Sequence, residues 1–202
     1  MKSMRRTVIC LAMLFAALGA RAQEVNLGVK AGVAASWLTN TVIIGDERIF
    51  PHNGIYAGMY AMHEISDNLI LQAELLYAPK GHTDKREQFG KYSRSLGYLQ
   101  LPMMLGTRFG KGITVMAGPE LGYLMYSTTN VSEKKTDSSN ECKPFNIALA
   151  VQSNYMVADL VGLDLKFDWG LSNTFKPGMY GESVNDNGRN VTIQVGVCYM
   201  FD

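Results

Sequence analysis

Asn26-Leu27-Gly28-Val29-Lys30-Ala31-Gly32-Val33-Ala34-Ala35-Ser36-Trp37 decides the fold. Its odd positions, Leu27, Val29, Ala31, Val33, Ala35 and Trp37, are all apolar, while its even positions are polar or small. A period of two places the first set on one face of a β-strand and the second on the other.

The same code recurs along the chain. Leu69, Leu71, Ala73, Leu75 and Tyr77 share a face opposite Gln72 and Glu74. Leu99, Leu101, Met103, Leu105 and Phe109 oppose Gln100 and Arg108. Ile113, Val115, Ala117, Leu121, Tyr123 and Met125 oppose Thr114, Gly118 and Glu120. Phe145, Ile147, Leu149, Val151 and Tyr155 oppose Asn146, Gln152 and Asn154. Leu163, Leu165, Phe167, Trp169 and Leu171 oppose Asp164, Lys166, Asp168 and Ser172. Val191, Ile193, Val195, Val197, Tyr199 and Phe201 oppose Thr192, Gln194 and Gly196. Residues 54–65 complete a set of eight strands, although both of their faces are apolar and the pattern leaves their facing open.

Connections alternate between long and short. Residues 38–53, 79–95, 128–143 and 173–189 read as long loops. Ser66-Asp67-Asn68, Gly110-Lys111-Gly112 and residues 158–161 read as tight turns. Eight sequential strands joined in this way predict an antiparallel up-and-down barrel decorated at one end.

Such a barrel can face either way. A soluble lipocalin-like carrier keeps apolar residues inside; a transmembrane barrel turns them toward lipid. Three features favour the inverted form. Runs of roughly 10–12 residues match the ~9–11 that a tilted strand needs to cross a bilayer. The apolar rows are nearly free of charge, and the polar rows carry both signs at mid-depth. Lys30, Glu74, Arg108, Glu120, Asp164, Lys166 and Asp168 are therefore expected to form a polar network in the lumen. Trp37, Tyr77, Phe109, Tyr126, Tyr155, Phe175, Tyr199 and Phe201 fall near strand ends, where aromatic rings anchor at membrane interfaces.

The chain opens with Lys2, Arg5 and Arg6, an apolar run from Val8 to Leu18, and then Ala20-Arg21-Ala22. That order reads as a secretory signal peptide cleaved before Gln23, leaving residues 23–202 as one barrel domain. A net charge of +1 leaves no basic excess for nucleic acid. Cys10 leaves with the leader, and Cys142 and Cys198 fall in a loop and deep in a strand, too far apart for a disulfide.

Four segments resemble the PorT-like outer-membrane β-barrel family, common in Bacteroidota. They are Leu27-Gly28-Val29-Lys30-Ala31-Gly32-Val33; Ile65-Ser66-Asp67-Asn68-Leu69 with Gln72-Ala73-Glu74-Leu75-Leu76-Tyr77; Tyr98-Leu99-Gln100-Leu101-Pro102; and Ala117-Gly118-Pro119-Glu120-Leu121-Gly122-Tyr123. The resemblance implies an outer-membrane barrel with periplasmic termini, and in some members an accessory role in protein secretion. It assigns no binding residues. The closing Val195-Gly196-Val197-Cys198-Tyr199-Met200-Phe201 resembles the aromatic-ended last strand read by the barrel-insertion machinery, with Asp202 as a departure.

The expected partners are outer-membrane lipid, that machinery, and a protein docking on the extracellular loops. The competing chemical reading is a lipid-A-modifying enzyme. His52 and His82 stand in or near loops with Ser93 and Ser95, and His63 stands apart, but spacing establishes no nucleophile–base pair. No ligand spacing for a metal and no phosphate-binding glycine loop occur, so no cofactor is expected. Side chains fill an eight-stranded lumen, which argues against a solute channel.

Overall fold

The computed structural model describes residues 25–39, 48–86, 90–110, 112–131, 134–176 and 188–201. The leader, its cleavage point and Gln23 lie outside the described residues. The strands are β1 (Val25–Thr39), β2 (Arg48–Glu64), β3 (Leu69–Arg86), β4 (Gly90–Phe109), β5 (Ile113–Val131), β6 (Lys134–Asp137), β7 (Phe145–Met156), β8 (Val161–Gly170) and β9 (Arg189–Met200). Strand order runs β4-β3-β2-β1-β9-β8-β7-β5, and the β4–β5 pairing closes the ring. All pairings are antiparallel, so eight strands form an up-and-down barrel without a free edge in the ring. Among the described residues no helix is long and apolar enough to cross a membrane.

The facing is inverted. Val195 is 51% exposed and Ile55 72% exposed, while Gln194, Glu74, Glu120, Lys166 and Asp168 are fully buried. That arrangement contradicts a lipocalin-like carrier, whose outer face must be wetted. It also settles β2, which the alternation left open. Tyr56, Tyr60 and Met62 point inward, and Ile55 and Met59 point out. The lumen tolerates the two tyrosines because glycines stand opposite them. A Cβ added to Gly28 would lie 2.4 Å from the Tyr60 ring, and one added to Gly196 would lie 2.5 Å from the Tyr56 hydroxyl and 2.3 Å from the Ala31 carbonyl. Gly196→Val is therefore expected to overpack the lumen and cost roughly 1–3 kcal/mol, read as a lower urea midpoint in detergent.

At the short-turn end, Ile65 and Ser66 donate to the Leu69 carbonyl (2.8 and 3.3 Å), and Val157 and Ala158 donate to that of Val161 (2.9 and 3.0 Å). Between β4 and β5, Gly110 has φ +59°, a left-handed conformation that suits glycine; Lys111 lies outside the described residues.

The other end departs from the loops read in the sequence. Residues 79–95 are not a loop, because β3 and β4 stay paired from Lys80↔Leu96 up to Arg86↔Gly90. Residues 128–143 hold the end of β5 and the short β6, paired through Val131↔Lys134. The cause is strand length. β3, β4 and β5 run 18, 20 and 19 residues, well beyond the ~9–11 that cross a bilayer, so their ladders rise out of it. Within the other two long connections, residues 40–47 and 177–187 lie outside the described residues.

Exposed rings mark both rims. Tyr77, Tyr123, Tyr126, Phe145 and Trp169 face outward toward the long-loop end, and Phe109, Tyr155, Tyr199 and Phe201 toward the short-turn end. Tyr77 and Tyr126 share a hydroxyl–hydroxyl hydrogen bond of 2.7 Å. Phe175 is not a rim anchor: it is 4% exposed and lies inside.

Candidate functional site

The lumen is filled in layers. Toward the short turns, Tyr60, Met62, Ile70, Met104, Met116, Ala150 and Cys198 form an apolar plug. Toward the long loops, Leu38, Leu96, Tyr98, Leu124, Cys142 and Phe175 form another. Charged and amide side chains occupy the level between them.

Two clusters make up that level. In the first, the Lys30 ammonium donates to Glu74 Oε1 (2.7 Å), Gln152 Oε1 (3.1 Å) and Asp164 Oδ1 (3.2 Å). Tyr56 donates to Asp164 Oδ1 at 2.8 Å, and Gln72 to Glu74 Oε1 at 2.6 Å. In the second, Glu120 accepts from Lys80 (3.0 Å), Gln100 (2.7 Å) and Lys166 (2.9 Å). Lys166 stands 3.5 Å from Asp168, and Gln194 bridges Asp168 (3.3 Å) and Gln100 (3.2 Å). Buried charges persist only when paired and hydrogen-bonded, and each ammonium here has a carboxylate partner.

Six of the seven residues singled out in the sequence meet in these clusters: Lys30, Glu74, Glu120, Asp164, Lys166 and Asp168. Arg108 does not. It pairs with Glu64 at 2.6 Å, with both side chains about one-third exposed (34% and 37%). The reason is depth. Arg108 precedes the last residue of β4, and its amide donates to the Asn68 carbonyl of the neighbouring turn (3.0 Å), so its side chain sits at the rim. Asp164 pairs with Lys30 at 3.2 Å.

Lys80 escaped the sequence reading because Pro79 looks like a strand stop. Proline is tolerated in a strand where the ladder is already irregular, and the β2–β3 register shifts between Pro51 and Ala57. Lys80 shares the parity of Gln72 and Glu74, the one signal that could have found it.

At the upper plug the connections fold into an ordered platform. Cys142 and Phe175 form an antiparallel bridge, Lys143 N donates to Thr174 O (2.9 Å), and Lys176 N donates to Glu141 O (3.0 Å). Arg94 ties both segments to β4: its guanidinium pairs with Glu141 and lies 5.0 Å from the Phe175 ring centroid. Ser138 bonds the Ser127 and Thr129 hydroxyls, each at 2.9 Å. Two hydrogen bonds from Ser139 hold the Asp137 carboxyl below its usual range. Burial pushes the Cys142 thiol up; it and Cys198 are free cysteines, one in each plug.

Of the residues weighed for catalysis, Ser93 shares a hydrogen bond with the Thr83 hydroxyl at 3.2 Å. His52 is half-buried on β2, and Pro51 pairs with His82 in the β2–β3 register. The His82 side chain lies outside the described residues. Among the described residues no group of three or more His, Cys, Asp or Glu side chains could hold a metal ion.

Residues 20–176 match the family model of the outer membrane protein beta-barrel domain. Among solved structures the fold is similar to Neisserial surface protein A, with a TM-score of 0.54 and 15% identity, covering 87% of this chain and 97% of that one. It is also similar to Ail, the attachment invasion locus protein of Yersinia pestis, with a TM-score of 0.52 and 11% identity, covering 89% of this chain and 100% of that one. At such identities the likeness is one of fold alone. None of the curated proteins matches the sequence. An inverted barrel, two aromatic rims, a charged and filled lumen and a family match over most of the chain lead to one conclusion: the chain belongs to the outer membrane protein beta-barrel domain family.

Proposed function

We propose that this barrel works as a non-enzymatic outer-membrane scaffold that presents its extracellular platform to a protein partner, as an accessory to protein secretion. One observation carries the reading. The lumen is occupied at every level, by the plug around Met104 and Met116, the paired charges and the plug around Tyr98 and Phe175, which argues against a solute route. The ordered surface left for recognition is the platform clamped by Arg94. Loops held on a rigid scaffold are where binding residues concentrate. The likeness to PorT-like barrels supports a secretion partner, and the aromatic-ended β9 supports delivery by the insertion machinery after removal of residues 1–22.

The test compares cells lacking the chain with cells carrying Arg94→Ala. Deletion is expected to reduce the proteins recovered from the medium, and Arg94→Ala to follow it with the barrel still folded. Lipid A, followed by mass spectrometry, is expected to stay the same. Medium proteins unchanged by deletion would remove the secretion role. A lipid A change on deletion, reproduced by His52→Ala or His82→Ala, would favour the enzyme reading instead.

A further inference from the structure

The barrel wall is not uniform around its circumference. The ladders β5–β7, β7–β8, β8–β9, β9–β1 and β1–β2 run without a break, the last two over 12 consecutive pairs each. Three ladders are interrupted: β2–β3, whose register shifts between Pro51 and Ala57, and both ladders of β4. Toward β3, pairing stops after Ala73↔Met103 and resumes at Leu76↔Gln100, skipping Glu74 and Leu75 opposite Leu101 and Pro102. Toward β5, it stops after Pro102↔Glu120 and resumes at Leu105↔Ala117, skipping Met103 and Met104 opposite Gly118 and Pro119.

Each gap beside β4 has the same cause. Proline has no N–H, so Pro102 cannot donate to the Glu74 carbonyl and Pro119 cannot donate to the Met103 carbonyl. One lost donor removes two successive pairs of an antiparallel ladder, which is the size of each gap. A Cβ added to Gly118 would lie 2.0 Å from the Met103 carbonyl, the same close approach as at Gly32, Gly58 and Gly106 where the ladders are paired, so the glycine supplies no substitute donor. Inside a bilayer, where water cannot supply the missing donor, backbone groups depend on the ladder more than they do in a soluble sheet.

We propose that residues 101–104 of β4 are a built-in loosening point, a place at which the barrel wall parts locally while the five continuous ladders stay closed. The gaps flank the same four residues at one depth, so they act together. Neighbouring side chains do not cancel them. The carboxylates of Glu74 and Glu120 tie β3 and β5 to lysines on other strands, whereas β4 joins that network at this level through Gln100.

Hydrogen exchange on the full chain in lipid nanodiscs tests this, with peptides resolved by mass spectrometry. Amides at Met103 and Met104, between the two carbonyls left without donors, are expected to exchange at least tenfold faster than those of Leu165, Phe167 and Ile193 in the continuous half. Pro102→Ala and Pro119→Ala each restore a donor and are expected to slow that exchange severalfold. Equal protection on the two sides of the wild-type barrel would overturn the proposal. So would unchanged exchange in both variants; if neither variant folds, the wild-type comparison decides alone.

Discussion

Glu120→Ala is expected to lower the unfolding free energy in lipid vesicles by about 3–5 kcal/mol, the usual cost of breaking a buried ion pair from one side. Glu120 lies on β5 with no exposure and holds two lysines at once, Lys80 from β3 at 3.0 Å and Lys166 from β8 at 2.9 Å. Alanine leaves both ammonium groups in a closed lumen, with Asp168 as the nearest remaining carboxylate, 3.5 Å from Lys166. Glu120→Gln keeps an acceptor and nearly the same volume, so it is expected to cost less than alanine. Urea titration followed by tryptophan fluorescence measures both. Equal, small losses would mean that the lumen network contributes little to holding the ring closed.

The second large effect comes from the opposite face. Val195→Arg puts a guanidinium on the lipid side of β9, at a residue paired with Val33 on β1 and Leu165 on β8. All three are half or more exposed. An arginine near the midplane of an outer-membrane barrel costs about 2–4 kcal/mol. Gln194→Arg, one residue away, points into the lumen beside Asp168, the group to which Gln194 now donates at 3.3 Å. It is expected to be milder and to fold into vesicles at higher yield. Equal folding of the two variants would contradict the facing of β9.

The facing of most strands was legible because a period of two is a local property and lipid admits few exceptions on the outer row. β2 was not legible. Its inner row holds Tyr56, Tyr60 and Met62, so both faces look apolar until the glycines opposite are placed in register. The apolar plugs were missed for a related reason. Ile70, Met104 and Met116 lie on rows otherwise marked by Gln72, Gln100 and Glu120, and alternation alone does not say at which depth a row changes character. Phe175 misled because ring position along a chain indicates a rim only while the chain follows the wall. Here it leaves the wall after β8 and turns inward to meet Cys142. The lumen charges were legible as a set, since six of them sit at mid-strand positions of inner rows. Arg108 shares the row but not the depth. The platform around Arg94 depends on contacts between distant segments, such as Arg94 with Glu141, which no spacing rule reaches.

Spin labelling in vesicles tests the inverted barrel most directly. Labels are introduced as V195C and I55C, in a chain whose Cys142 and Cys198 have been replaced by serine, and relaxation is compared between lipid-dissolved oxygen and a water-soluble nickel chelate. Strong relaxation by oxygen and little by the chelate at both positions is the expected result. Strong relaxation by the chelate at both positions would mean that the apolar face meets water, contradicting a barrel that turns it toward lipid.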